Sequence, residues 1–383
     1  MASAKQAPLL LLVPSLVAAP GGIQSLTRDV LEALNVAREN APLHVISKLD
    51  RPDELARISC PESTTLSGVG GVPAAARTLG LLLKVFTFCL LRRPDLIVVI
   101  HRNHAPIAFL MQRLFGIPYV LMMHGIEAWN ITGWWHRRSA RAAVRFWCIS
   151  RVTAERVVSG LCVPPERCEI IPCTADGERF TIGPKPEALL RKLGLSEDRK
   201  IVLTVARLAS LERSKGYDRV LEVLPDLVLD FPTVHYVLVG KGDDLSRIQD
   251  LIKQLGIGDR VTLAGFVPDE ELPSYYQLCD VFALPSTGEG FGIVFLEALC
   301  AGKPCIGGAD DGSQEPLRNG ELGALVSVED RAGLRRALSD LLRGVTFDDP
   351  ERLRQQALAH FGKDRFAERI AAALAKVTGP STS

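Results

Sequence analysis

Short apolar runs of three to six residues alternate with helix-length segments along the whole chain, and this rhythm limits the possible folds more than any other feature. In the first half the runs are Leu9–Val13, Leu43–Ser47, Leu96–Ile100, Tyr119–Met123, Phe146–Ile149 and Glu169–Ile171. In the second half they are Ile201–Ala206, Val234–Val239, Val261–Ala264, Val281–Leu284, Pro304–Gly307 and Ala324–Val326. Runs that are apolar throughout suit strands covered on both faces, and the long spacers suit the crossovers that parallel strands require. At 383 residues the chain is too long for one ordinary core, so two successive doubly wound α/β domains are expected. The join is placed at Gly183-Pro-Lys-Pro186, a proline-rich, strand-poor segment, giving domains 1–183 and 184–360.

One stretch, Leu284 to Ile306, carries the most chemistry. Its apolar strand stops at Pro285, and Gly288, Gly290 and Gly292 then form a turn around Glu289 and Phe291. A helix is expected from Ile293 to Ala301, with Gly302 and Pro304 as stop signals. Its first turn offers unpaired backbone N–H groups to an anion or a hydroxyl. Glu289 in the turn and Glu297 on the helix would repel a phosphate placed directly on them. A ligand with both phosphates and hydroxyls resolves the conflict, and a nucleotide sugar fits that description.

The cations for such a ligand stand elsewhere. Arg207 ends the Thr204–Leu208 segment and Lys215-Gly216 lies in the following loop, where the pair can neutralise a diphosphate without a metal. The alternative is two solvated cations, which suits Lys215 better than Arg207. Val239-Gly-Lys-Gly-Asp-Asp244 forms a further strand end with a glycine turn. After Gly265-Phe-Val-Pro268, which contains Val267, Asp269 either accepts from the N–H edge of guanine, favouring a GDP-sugar, or is a solvated acid. No Asp-x-Asp, no phosphate-loop Gly-Lys-Ser/Thr and no Gly-x-Ser-x-Gly occurs, so no metal site is expected.

The first half offers fewer chemical signals. Pro20-Gly21-Gly22 precedes an amphipathic helix, Ile23 to Leu34, and reads either as a close backbone approach to ligand or as a plain turn. His124, in Met122-Met-His-Gly-Ile-Glu127, ends the fourth run, at the sheet edge where open α/β folds bind ligands; a substrate contact and a structural role are weighed equally. Gly68-Val-Gly-Gly71 reads as a loop with no strand feeding it. An apolar helix is expected over Val72–Leu91, ending in Arg92 and Arg93. Trp129 to Trp147 holds four tryptophans and four arginines with no acid, and Arg137, Arg141 and Arg145 are read as one helical stripe. That composition suits a membrane interface or a diphosphate-bearing acceptor, against ordinary packing with a solvated face.

The totals exclude several classes. A net charge of +1 exerts no global pull toward nucleic acid. Nine cysteines without a Cys-x-x-Cys pair, and with no His/Cys set beside Cys162, Cys168 and Cys173, read as reduced thiols of a cytosolic protein rather than a zinc site. Leu9–Val13 is too short to span a bilayer and lacks a signal-peptide layout, while Lys84 interrupts Leu79–Leu91.

With these pieces placed, the chain resembles the retaining glycosyltransferases of family 4, which have the GT-B fold, over nearly its whole length. The resemblance rests most on Glu289-Gly-Phe-Gly-Ile-Val-Phe-Leu-Glu297, which matches the family's Glu-x7-Glu motif. Gly21-Gly22, His124-Gly125, Arg207 with Lys215-Gly216, and Ile171-Pro-x4-Gly177 running to Phe180 support it. The resemblance implies two Rossmann-like domains facing across a cleft, the first for the acceptor and the second for the donor. Phe361-Gly-Lys-Asp-Arg-Phe366 implies a last helix, about 361–383, that crosses back to the first domain. It further implies that Glu289 accepts from donor-sugar hydroxyls, as backbone N–H groups at Gly290, Phe291, Gly292 and Ile293 hold the sugar. Glu297 would accept from the ribose; Val267 and Asp269 remain donor-binding candidates from the loop after Gly265. Arg207, Lys215 and the Gly22 backbone would bind the diphosphate, and His124 the sugar. The leaving diphosphate would help to deprotonate the acceptor, so no protein nucleophile and no metal or other cofactor is implied. Two departures stand out. Ser210-Leu-Glu-Arg213 lengthens the loop before Lys215, and Cys173, Thr174 and Ala175 replace the family's Asn-Gly-Val.

The expected activity is sugar transfer from a GDP- or UDP-sugar to a glycan or lipid-linked acceptor in envelope polysaccharide or glycolipid synthesis. The expected location is the cytoplasm, at the inner face of the membrane, with membrane contact through the first domain. A nucleotide-sugar epimerase of the same architecture is the alternative, and it would need an acid/base set that the seven histidines do not suggest by their spacing. A non-catalytic sugar-nucleotide sensor is the third reading.

Overall fold

The computed structural model describes residues 7–18, 21–39, 41–125, 129, 131–345 and 348–378. The chain divides into two compact units, one ending at Cys173 and resumed from Lys363, the other running from Thr174 to Gly362. Each is built on one parallel sheet.

In the first unit the order is β1 (Leu9–Val13), α1 (Gly22–Ala37), β2 (Leu43–Ser47), α2 (Pro52–Leu55), β3 (Thr64–Gly68), α3 (Arg77–Arg92) and β4 (Leu96–Val99). It continues with α4 (Ala105–Phe115), β5 (Tyr119–Met123), α5 (Trp134–Arg141), β6 (Arg145–Cys148), α6 (Arg151–Leu161) and β7 (Cys168–Ile170). The sheet order is β3-β2-β1-β4-β5-β6-β7, every pair parallel. The second unit contains α7 (Glu187–Leu193), β8 (Lys200–Val205), α8 (Tyr217–Asp230), β9 (Val234–Val239), α9 (Leu245–Gln254), β10 (Val261–Gly265) and α10 (Leu272–Leu278). Then come β11 (Val281–Leu284), α11 (Ile293–Cys300), β12 (Cys305–Gly308), β13 (Ala324–Val326), α12 (Arg331–Leu342) and α13 (Pro350–Phe361). Its order is β10-β9-β8-β11-β12-β13, again parallel. In both sheets the direction of winding reverses, between β1 and β4 and between β8 and β11. Such a switch point opens a crevice at the carboxyl ends of the strands.

Every strand expected from an apolar run is present, with ends displaced by at most one residue. Leu9 to Val13 is buried throughout, as a strand covered on both faces must be. The strand that was not expected is β3, Thr64-Thr-Leu-Ser-Gly68. It is a half-buried edge strand, so its apolar content is low. It feeds the Gly68–Gly71 turn directly, which corrects the reading of that turn as a loop without a strand. The 72–91 helix begins instead as a short 3-10 turn at Ala74–Ala76 that leads into α3. The arginine stripe is also corrected. Helix α5 ends at Arg141, because Val144 N–H donates to the Tyr119 carbonyl (2.9 Å) and starts β6, which takes Arg145 into the sheet and toward Glu169 (3.2 Å). Of the tryptophans, Trp147 is wholly buried in β6, whereas Trp134 and Trp135 are exposed.

The division between the units falls before the Gly183–Pro186 segment. Thr174 Oγ1 and the Ala175 N–H both donate to the Phe361 carbonyl (3.0 and 2.7 Å), and Arg354 donates to the Phe180 carbonyl (2.5 Å). Lys185 is paired with Asp280 (2.8 Å), and Gln277 donates to the Thr181 carbonyl (3.2 Å). The proposed linker is therefore fastened to the second unit. The chain then returns: α14 (Lys363–Thr378) packs along α1 in the first unit, with Lys363 beside Glu32 (3.5 Å) and Lys376 beside Glu169 (2.6 Å).

Candidate active site

In the second unit the site is built from the loops after β8 and β11, the two strands at the switch point. Arg207 stands just beyond β8 with its side chain largely exposed, and its Nη1 meets Glu212 Oε1 at 2.9 Å. Glu212 belongs to the lengthened Ser210–Lys215 turn. That turn ends at Gly216 with φ +80°, and a Cβ there would overlap the Pro285 carbonyl oxygen. Glycine thus lets the two loops touch. Thr287 N–H donates to the Ser214 carbonyl (2.8 Å), and Arg219 donates to that of Pro285 (2.6 Å). The consequence is that Lys215, despite the longer loop, reaches Glu289: Nζ to Oε2 is 2.6 Å, with both side chains about 15% exposed.

The Glu289 turn is held from behind by Asp311. Its carboxylate accepts from the Ser286 hydroxyl (2.6 Å), the Glu289 N–H (2.7 Å) and the Ser313 N–H (2.9 Å), and Gly312 N–H donates to the Glu289 carbonyl (2.8 Å). Burial pushes the Asp311 carboxyl above its ordinary value and outweighs these hydrogen bonds. Gly292 precedes α11 with φ +91°, and a Cβ there would come within 2.6 Å of the Phe295 ring. Phe291 is buried, its ring 6.0 Å from that of Phe361, so its part toward a ligand is played by the backbone alone.

Glu297 sits on α11 and accepts from the Tyr276 hydroxyl at 2.5 Å. Burial raises its carboxyl to about 7, against the hydrogen bond from Tyr276 and the charge of Arg179, both of which lower it; the charges of Asp269 and Asp176 add to the rise. Arg179 donates to the Asp269 carbonyl oxygen and lies over the Phe180 ring (4.8 Å). Asp269 and Arg179 thus act on Glu297 from its surroundings.

In the first unit Gly22 opens α1 after Gly21, whose φ is +149°. The loop before it is pinned by Asp50, which is wholly buried. Its two oxygens accept from the Ser15 hydroxyl (2.6 Å), the N–H groups of Leu16, Val17 and Ala18 (2.5, 3.0 and 2.8 Å), and the Ser47 hydroxyl (2.7 Å). Pro20 lies outside the described residues. Gly70 N–H donates to the Asp50 carbonyl (2.9 Å), and a Cβ on Gly68 or Gly70 would collide with the backbone at 49–50. The glycine turn that looked uninformative thus clamps Asp50.

His124 follows β5, with Ile126 and Glu127 outside the described residues. Its Nε2 is hydrogen-bonded to the Ile100 carbonyl, which fixes the Nε2–H tautomer and leaves the buried Nδ1 as an acceptor with no partner among the described residues. Burial lowers its pKa to about 4, so the ring is neutral at ordinary pH. His101 and His104 stand beside it, their rings 6.3 Å apart, and burial lowers them to about 4 and about 3. The expectation that the histidines are dispersed is therefore corrected, because three converge at the ends of β4 and β5. All three are held neutral. Among the described residues no group of three or more His, Cys, Asp or Glu is placed to hold a metal ion.

Four residues that hold these loops and side chains escaped the sequence reading. Asp311 had a signal, since Asp-Gly-Ser after an apolar run is an aspartate-turn pattern. Arg179 lies within the Ile171–Phe180 motif. Asp50 and Tyr276 had none, because all their partners but Ser47 are distant in the chain.

Comparison with known proteins gives the lineage of the chain. Residues 186–360 match the family described as "Glycosyl transferases group 1", and residues 20–179 match "Glycosyltransferase Family 4". The GDP-mannose-dependent alpha-(1-6)-phosphatidylinositol monomannoside mannosyltransferase of Mycolicibacterium smegmatis is 30% identical over 285 residues, 69% of this chain and 71% of that protein. The D-inositol 3-phosphate glycosyltransferase 1 of Catenulispora acidiphila is 28% identical over 320 residues, 75% of this chain and 74% of that one. Among solved structures, Anabaena HepE in complex with UDP superposes with a TM-score of 0.76 at 20% identity, covering 96% of this chain and 99% of its own. Sucrose-phosphate synthase from Thermosynechococcus elongatus gives 0.76 at 22% identity, covering 97% and 99%. The two structures speak for the fold, and the matched families and the mycobacterial relative speak for the lineage: the chain belongs to glycosyltransferase family 4 and is a glycosyltransferase of GT-B fold.

Proposed function

We propose that the enzyme moves a hexose from a GDP-sugar, mannose being the first candidate, to a lipid-linked or polyol acceptor, with retention of configuration and without a metal. The observation that carries this reading is the Lys215–Glu289 pair at 2.6 Å just before the α11 N-terminus, with Arg207 at the start of the loop that carries Lys215. A donor bearing a diphosphate and hydroxyls can divide that pair, the diphosphate turning to Lys215 and Arg207 and a sugar hydroxyl to Glu289. Positive charge then lies where the leaving group gathers negative charge, and the amides after Gly290 support the sugar. The leaving diphosphate takes the acceptor's proton. Glu297, held by Tyr276, reads the ribose. The preference for GDP and mannose follows the name of the mycobacterial relative and the placing of Asp269 beside Glu297. Work at the inner face of the envelope membrane follows from a lipid-linked acceptor.

The test is transfer from radiolabelled GDP-mannose, with GDP-glucose and UDP-glucose alongside, to phosphatidylinositol mannosides and inositol phosphates. Glu289→Ala is expected to lower kcat/KM about a hundredfold or more. Unchanged transfer by that variant would remove the turn from the mechanism. A donor isomerised in the absence of acceptor would replace transfer with epimerisation.

A further inference from the structure

We infer that the face formed by α3, α4 and α5 of the first unit is a docking surface for an anionic lipid bilayer. It deepens the proposed transfer to a lipid-linked acceptor and rests on that reading for its purpose. The geometry stands by itself.

Helix α3 buries Leu81, Val85 and Cys89 against the sheet and turns Leu79, Leu83, Leu90 and Leu91 outward, Leu91 being 73% exposed. A soluble helix ordinarily gives that outer face to polar groups. The patch does not end with α3. Phe86 packs on Phe115 of α4 (5.4 Å between rings), and Phe109 of α4 packs edge-on against Trp135 of α5 (5.6 Å). Leu114 on α4 and Trp134 on α5 extend the exposed apolar surface, Trp134 at 70% exposure. An apolar area spread over three adjacent helices marks an interaction site rather than scattered surface residues.

The charge around this surface selects the occupant. Residues 63–154 contain eleven Lys or Arg and two acids, in a chain whose totals are 45 and 44, so the rest of the molecule is net acidic. None of the acids lies on α3, α4 or α5, whereas Arg92, Arg93, Arg113, Arg137, Arg138 and Arg141 are all exposed there or at their ends. Arg138 covers the Trp134 ring at 5.7 Å. The fitting partner presents negative charge in front of an apolar layer, which is the order of an anionic headgroup and its acyl chains. Tryptophan and arginine are the side chains that rest at that boundary. A hollow of about 410 Å³ lined by Leu83, Lys84, Thr87, Phe88, Leu91 and Arg92 lies within the patch, next to the paired arginines.

The helix lies on the bilayer and does not cross it. Residues 74–92 are apolar and long enough to span, but α3 is the crossover between β3 and β4 of one parallel sheet, and Lys84 on it donates to the Gly68 carbonyl (3.2 Å). Spanning would require the sheet to come apart.

The full chain is sedimented with vesicles of phosphatidylglycerol and phosphatidylcholine, and with vesicles of phosphatidylcholine alone. Binding to the anionic vesicles is expected to be at least about tenfold stronger and to fall as salt rises. Leu83→Glu with Leu90→Glu, and separately Arg92→Glu with Arg93→Glu, should each weaken it about tenfold or more. The unfolding temperature of each variant, measured without ligand, should stay close to that of the parent, which shows that both variants fold. Absence of binding by the parent, or equal binding by parent and variants, overturns the proposal. So does light scattering that shows a dimer broken by the leucine variant, since a second copy would then cover the face. No arm uses a donor or an acceptor sugar, so a wrong donor assignment leaves the result standing. Lost vesicle binding with retained transfer to a water-soluble acceptor leaves the transferase reading standing.

Discussion

Each unit carries a buried aspartate that pins the loop beyond a central strand, and their carboxyls are shifted in opposite directions. Asp50 in the first unit collects five donors, three of them backbone N–H groups, and Asp311 in the second collects three. Burial raises both carboxyls. At Asp50 the hydrogen bonds from Ser15, Ala18, Leu16 and Ser47 win and the net shift is downward; at Asp311 burial wins and the shift is upward. Asp50 therefore contributes stability that is present above its unfolded pKa and lost as pH falls through the folded one. For Asp311 the sign reverses, its contribution being full below the unfolded value and lost as pH rises through the folded one. One aspartate holds a loop of the first unit, and the other backs the Glu289 turn to which the proposed function assigns the donor sugar.

The largest expected effect tests that contrast directly. Asp50→Ala leaves two hydroxyls and three amides without their acceptor and should cost about 3–5 kcal/mol of stability, read as a lower urea midpoint. Asp311→Asn keeps one acceptor oxygen, and should cost about 1–2 kcal/mol while raising the donor KM about tenfold through the loosened Glu289 turn. Equal stability losses with an unchanged KM would erase the distinction.

The next test concerns Glu297, the buried acid proposed to read the ribose. Its pKa is raised from 4.5 to about 7, so its contribution to folding is full below about 4.5 and lost as pH rises through 7. The carboxylate form, which the proposed ribose contact requires, predominates above about 7. GDP binding measured by calorimetry should therefore strengthen severalfold between about pH 6 and 8, while this residue's share of stability declines. Glu297→Gln should flatten the profile. Tyr276→Phe, which removes a hydrogen bond that lowers the pKa, should move the inflection upward. An unshifted inflection would separate Tyr276 from the ribose site.

The smallest effect is expected at the surface. Glu212→Gln breaks the pair with Arg207, whose side chain is 73% exposed, and should change stability by less than about 0.5 kcal/mol. Freed of that carboxylate, Arg207 should bind GDP up to about threefold more tightly. Weaker binding would show that Glu212 orients the arginine rather than competing for it.

Legibility followed the range of the interactions. The buried strands could be placed to within one residue because hydrophobic burial on both faces leaves an uninterrupted apolar run. The half-buried edge strand β3 leaves only Leu66 amid threonine, serine and glycine, and it was missed. The Glu289 turn was legible because glycines, acids and a helix start lie within a few neighbouring residues. The Arg137–Arg145 stripe failed because spacing alone cannot show that α5 stops where β6 begins to pair with β5.

By itself the sequence determined the α/β class, the two-domain scale, the Glu289–Glu297 turn and the cations that would serve it, since each depends on local pattern or residue chemistry. Only the tertiary structure decided that Lys215 reaches Glu289 across a lengthened loop, that Tyr276 holds Glu297, and that Asp50 and Asp311 pin their loops. It also decided that three histidines converge and that α3 turns its leucines outward. These contacts join residues far apart in the chain, and their distances and burial exist only once the sheets have brought the strand ends together.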